Sequence, residues 1–76
     1  MAAQQAKIME KLINHGMTNG QARVCCAIFN GETSQEAGEA LGITEKCVKF
    51  HLTNIYREQK LRNRAALIIW LHKNVG

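Results

Sequence analysis

Apolar side chains along this chain fall at helical spacing, while strand-favouring runs are scarce. In residues 3–14, Ile8, Met9, Leu12 and Ile13 share one side, and Lys7, Glu10, Lys11 and Asn14 share the other. His15-Gly16 is a natural stop for that helix, because glycine accepts the backbone a helix end demands. Thr18 can then cap a second helix that runs to about Phe29, packs through Val24, Ala27 and Ile28, and is closed by Asn30-Gly31. Thr33 or Ser34 opens a short third helix over 35–41, with Glu36 near its positive end. Leu41-Gly42-Ile43-Thr44 makes a tight turn in which Gly42 supplies the permissive backbone, Ile43 tucks inward and Thr44 caps a long helix over 45–60. Asn63 caps a final helix over 64–72. The expected fold is all-α, and two helices joined by a short turn containing glycine form a helix-turn-helix pattern.

Size sharpens this picture. A chain of 76 residues makes one small domain, and folding removes only about 60% of the surface of such an unfolded chain from water. A core that small rarely supplies more than about 3–5 kcal/mol of net stability, so help from a partner subunit is reasonable. The cysteines, Cys25, Cys26 and Cys47, are odd in number and lack a C-x-x-C spacing, which argues against a disulfide framework or a zinc site and for a reducing compartment. The longest apolar run, over 65–71, is far below the ~20 residues that cross a bilayer. No apolar leader opens the chain. A cytoplasmic protein is expected, with no membrane partner, and the initial methionine suggests a complete small gene product.

Charge changes the picture more than size does. Between residues 44 and 64, Lys46, Lys49, Arg57, Lys60, Arg62 and Arg64 face only Glu45 and Glu58, which accounts for the whole net charge of +4. Elsewhere Lys7, Lys11, Arg23 and Lys73 balance Glu10, Glu32, Glu36 and Glu39. Such a localised patch suits a polyanion, although a solvated helix face has the same composition. On a wheel advancing 100° per residue, Val48, Leu52, Ile55 and Gln59 fall within about 60° of one another and make a core face. Lys46, Lys49, Phe50, Thr53, Arg57 and Lys60 fall in an arc of about 100° on the opposite side, with Cys47, His51 and Asn54 on one flank. A face of that width matches the major groove of duplex DNA, which is about 12 Å wide and admits one helix. Lysine reaches base acceptors or phosphates there, and Thr53 reaches a base edge or a thymine methyl. Phe50, an aromatic among lysines, can meet a thymine methyl or a partner protein, or fold back under the N-terminal helix.

The residues Met17-Thr18, Val24, Gly31, Glu36, Leu41, Ile43-Thr44, Val48-Lys49, His51, Asn54-Ile55 and Arg64 stand in a pattern that resembles the LuxR/GerE-type helix-turn-helix DNA-binding domain. The match runs without a gap over about fifty residues. The resemblance implies a bacterial or phage transcription regulator that binds double-stranded DNA and is not an enzyme. It makes 35–41 the scaffold helix and 45–60 the recognition helix. It places Lys49, Phe50 and Thr53 on bases, and His51 and Asn54 nearer the phosphates or in orienting the helix. The charge pattern adds Lys46, Arg57, Lys60 and Arg62 as candidate phosphate contacts. Glu36 and Arg64 fall where the family commonly forms a structural ion pair. The chain departs from the pattern at Gly20-Gln21, where an Arg-Glu pair is usual, and at Ala37-Gly38, where Ile-Ala is usual. A glycine in the scaffold helix weakens it by roughly 0.5–1 kcal/mol. Cys47 stands for threonine, Glu58 for a basic residue and Gln59 for an apolar one.

The resulting expectation is a four-helix helix-turn-helix domain over 17–76 with an extra amphipathic helix over 1–16. The final helix, the family's usual dimerisation surface, is apolar almost all round, with Leu67, Ile68, Ile69, Trp70 and Leu71. Ala65, Ile69 and Trp70, with Ile8 and Leu12 of the first helix, are candidate dimer or partner residues; alternatively the first helix covers that surface itself. A symmetric dimer would set two recognition helices about 34 Å apart. The leading function is sequence-specific DNA-binding transcription regulation. The second is an adaptor or antagonist that binds RNA polymerase or another regulator through the same helices. Cys47 and His51 lie four residues apart but find no third ligand or orienting carboxylate, and no glycine-rich phosphate loop is present. No metal, cofactor or small-molecule ligand is expected.

Overall fold

The structure is a computed structural model and describes residues 2–76, with side chains from residue 6 onward. The described residues form five helices and no strand: α1 (Ala2–Asn14), α2 (Asn19–Phe29), α3 (Ser34–Leu41), α4 (Glu45–Gln59) and α5 (Arg64–Asn74). Side-chain caps explain where the last four begin. Thr18 accepts from the Gln21 N–H while Gln21 accepts from the Thr18 N–H, and Thr33 and Glu36 repeat this reciprocal box at α3. Thr33 is therefore the cap, and Ser34 is already helical. Thr44 accepts from the Cys47 N–H at 3.1 Å, and Asn63 accepts from the Ala66 N–H at 2.9 Å.

The helices end by two different means. Gly42 closes α3 at φ 73°, in the left-handed region that costs glycine little. Lys60 takes the same region at φ 58° after α4, so this helix stops one residue earlier than expected. At that stop the Leu61 N–H donates to the Tyr56 carbonyl at 2.7 Å. The final helix continues to Asn74, two residues past the expected end.

The core is organised around α2, which packs against each of the other four helices. Its Ala22, Val24, Cys25, Cys26, Ala27 and Ile28 are buried, and its many small side chains let neighbours approach closely. Against it lie Ile8 and Leu12 of α1, Ala37 of α3, Val48, Leu52 and Ile55 of α4, and Leu67 and Leu71 of α5. The Cys25 thiol donates to the Met17 sulfur at 3.7 Å, and burial pushes its pKa up to about 12. Burial raises Cys26 as well. Both are packing residues rather than nucleophiles, since only the thiolate reacts.

Two expectations about α1 are corrected here. Ile8 and Leu12 are not partner-facing: both are buried in this chain's own core. Ile13, grouped with them by spacing, is exposed. The last turn of α1 leads directly into the buried Met17, which turns Ile8 and Leu12 toward α2 and leaves Ile13 outside.

Gly38 also has a different meaning in three dimensions. It is buried where the turn folds back on α3, and its carbonyl accepts from the N–H groups of both Gly42 and Ile43. A Cβ at this position would lie 2.7 Å from the Ile43 carbonyl oxygen and 3.3 Å from the Glu45 nitrogen. The glycine is thus what admits the turn, and with it the angle at which α4 leaves α3.

Candidate nucleic-acid interface

The long helix α4 divides as its periodicity requires. Val48, Leu52 and Ile55 are buried, whereas Lys46, Lys49, Phe50, Thr53, Arg57 and Lys60 are all exposed. Arg62 is exposed just beyond the helix, and His51 and Asn54 are half-buried along one edge. Gln59, placed on the core face by its spacing, is only half-buried because the chain turns away at Lys60. Phe50 is 63% exposed, so it does not fold back under α1; its ring lies edge-on to His51 at 6.2 Å.

Several of these side chains already hold partners along the helix. Lys49 Nζ lies 3.2 Å from Glu45 Oε2. The Thr53 hydroxyl donates to the Lys49 carbonyl at 3.0 Å, and Arg57 Nη2 donates to Asn54 Oδ1 at 2.6 Å. Such contacts align these side chains along the helix, and each is weak because it is exposed to water. Glu45 was not among the residues selected from sequence. Its position four residues before Lys49 was the available signal.

The departures near α2 turn out to be linked. Gln21 is buried; its carbonyl oxygen accepts from the Thr18 N–H at 3.1 Å, and its amide donates to Glu58 Oε1 at 3.3 Å. Two unusual residues 37 positions apart therefore meet, and the carboxylate now stands on the α4 side of the contact. Gly20 leaves room for the His51 ring, whose Cε1 would lie 3.1 Å from a Cβ there. The imidazole therefore lies against the start of α2, at the edge of the basic face.

The expected ion pair between Glu36 and Arg64 is not formed. Glu36 is occupied by the α3 capping box, and the Arg64 guanidinium donates instead to the backbone carbonyl of Glu32. Arg64 thereby ties the start of α5 to the loop before α3, a structural task that spacing alone did not identify. Beside it, burial raises the Tyr56 hydroxyl pKa, partly opposed by Arg64.

On α5, Leu67 and Leu71 are buried while Ala65 and Ile69 are exposed, Ile69 by 67%. Trp70 is half-buried and meets the His15 ring edge-on at 5.1 Å. Since α1 packs on α2, the alternative that α1 covers Ile69 does not hold. Among the described residues, no His, Cys, Asp and Glu side chains gather in a group able to hold a metal, and no helix is long and apolar enough to cross a membrane.

Comparison with known proteins agrees with this geometry. Residues 15–71 match the family model described as bacterial regulatory proteins, luxR family. The chain is also 35% identical over 63 residues to the transcriptional regulatory protein LiaR of Bacillus subtilis (strain 168). That alignment covers 83% of this chain but only 30% of the relative's length. No solved structure matches significantly. With the match spanning the helix-turn-helix and both flanking helices, the chain belongs to the luxR family of bacterial regulatory proteins, as a helix-turn-helix DNA-binding domain of transcription regulators rather than an enzyme.

Proposed function

We propose that this domain is a sequence-specific regulator of transcription that lays α4 in the major groove of duplex DNA, in the cytoplasm. The observation that carries the reading is the exposed face of Lys46, Lys49, Phe50, Thr53, Arg57 and Lys60, directly opposite the buried Val48, Leu52 and Ile55. Lys49, Phe50 and Thr53 contact bases: lysine donates to guanine acceptors, and Phe50 and the Thr53 methyl pack on thymine. Lys46, Arg57, Lys60 and Arg62 neutralise phosphates, while His51 and Asn54 donate to them from the edge. Residues 17–76 form the reading unit, and 1–16 brace it through Ile8 and Leu12. Two copies pair through Ala65, Ile69 and Trp70, where a large exposed isoleucine lies beside a half-buried tryptophan. The regulatory role of the Bacillus relative supports the same reading.

Fluorescence anisotropy with a randomised duplex pool tests it. Neutralising about four to six phosphates gives log affinity against log salt a slope of roughly −4 to −5, and Lys49→Ala weakens binding. A slope near zero would overturn groove binding.

The exposure of Phe50 and Ile69 favours one second reading, in which this surface docks on RNA polymerase or another regulator. In that case Ile69→Asp is the more damaging substitution and Lys49→Ala is mild.

A further inference from the structure

The pair formed by Glu45 and Lys49 has a shape that a base pair can match. Glu45 is the first residue of α4, next to its cap Thr44, and the leading residues of a recognition helix are those that reach base edges. The two side chains are 47% and 65% exposed, and their charged ends are 3.2 Å apart. They therefore present an acceptor and a donor side by side to whatever lies in front of the helix. In the major groove, a C·G pair presents the complement: the cytosine N4 amino group is a donor and guanine O6 an acceptor. Those two atoms are joined by the pair's own hydrogen bond, about 2.9 Å long. The spacing of the protein pair and of the base-pair edge thus agree to within a few tenths of an ångström.

We infer that Glu45 is a specificity-determining residue which, together with Lys49, reads the orientation of one C·G pair. The inference rests on the proposed placement of α4 in the major groove. The Glu45 carboxylate accepts from cytosine N4 while the Lys49 ammonium donates to guanine O6 and N7. Reversing the pair sets the carboxylate against guanine's acceptors and the ammonium against cytosine's amino group, so both contacts become repulsive. An A·T pair keeps the order, with the adenine N6 donor and the thymine O4 acceptor. It lacks the second acceptor that guanine N7 offers, and the thymine methyl stands beside O4. The preference therefore runs from C·G through A·T to the reversed pairs.

A carboxylate in a basic face has a second effect that follows from its charge. It repels phosphate, so it holds down binding to arbitrary duplexes while sparing the correct one. An ordinary helix-stabilising pair would behave differently, because its loss would weaken binding to every sequence alike.

The test starts from duplexes selected by the unaltered protein from a randomised pool at physiological salt. Each base pair of the selected site is then reversed singly, and binding is measured by anisotropy for the unaltered protein and for Glu45→Gln. Circular dichroism checks that the variant melts normally. At one C·G pair, reversal is expected to cost the unaltered protein about tenfold and Glu45→Gln about threefold, the remainder being the Lys49 contact. Penalties at the other positions stay unchanged, and the variant binds the unselected pool at least as tightly. If Glu45→Gln keeps the full penalty at every position, the inference is overturned while groove reading stands. A uniform loss across all duplexes also overturns it, leaving Glu45 as a helix stabiliser. Failure of the unaltered protein to bind any duplex at low salt would remove the groove reading itself, and this inference with it.

Discussion

The helices α2 and α4 are built on opposite plans. Seven of the eleven residues of α2 are buried, against three of the fifteen residues of α4. Every other helix packs on α2, so most of its circumference is core and its buried side chains, Gln21 apart, are small or aliphatic. By contrast, α4 packs mainly against α2 and α3 and leaves a wide face to solvent, and that face holds most of the basic excess. The difference locates stability in one helix and the face proposed for recognition in another. In a domain this small the division matters, because its total stability is only about 4–11 kcal/mol at the usual 0.05–0.15 kcal/mol per residue.

The sharpest way to break that division is to substitute one residue from each helix. Ile28→Ala removes a side chain that is 1% exposed from α2, and such truncations cost about 2–5 kcal/mol. That is a large fraction of the whole, so the variant should be partly unfolded at 37 °C by circular dichroism. Lys49→Ala is a surface change expected to move stability by less than about 0.5 kcal/mol. Its effect should appear in DNA affinity instead, as a loss of about tenfold on the selected site. If Lys49→Ala melted as Ile28→Ala does, α4 would be a core element and the contrast would fail.

Gly38→Ala tests the joint between the two plans. Helix propensity predicts a gain of about 0.8–1 kcal/mol from alanine at a helical position. The structure predicts the reverse, because the new Cβ would meet the Ile43 carbonyl at 2.7 Å, and that atom belongs to backbone that cannot rotate away. Overpacking of this kind costs typically 1–3 kcal/mol. Urea unfolding decides the sign. A net loss accompanied by weaker DNA binding would show that the turn sets the angle of α4, and a net gain would mean that the turn relaxes freely.

Much of this was legible in the sequence because it is local. The five helices, the caps Thr18, Thr44 and Asn63, and the opposition of Val48, Leu52 and Ile55 to the basic face all follow from spacings of a few residues. What was not legible depends on contacts between distant segments. Gln21 with Glu58 spans 37 positions, and Arg64 with the Glu32 carbonyl spans 32. Neither is written in any local period. The same holds for Ile8 and Leu12: a helical wheel identifies an apolar stripe but not which surface covers it. Gly38 was misjudged for a related reason. Propensity weighs a residue inside its own helix, whereas this glycine answers to the turn that follows.

The smallest effect concerns the end of α4, where stability and the proposed phosphate contact compete at one residue. Lys60 holds φ 58° and ψ 46°, a conformation that costs an L-residue other than glycine roughly 1–2 kcal/mol. Lys60→Gly removes that strain but gives the unfolded chain more freedom, so a net gain of about 0.5–1 kcal/mol is expected in urea unfolding. It also removes a cation from the face proposed to meet phosphate, which should make the salt slope shallower by about 0.9. Lys60→Ala separates the two effects, since it loses the charge while keeping most of the backbone strain. A glycine variant that is more stable and binds less tightly, beside an alanine variant that only binds less tightly, would show that Lys60 is kept at a helix end for its charge. Equal salt slopes in all three proteins would confine the phosphate contacts to the rest of the face and leave this residue a strained cap.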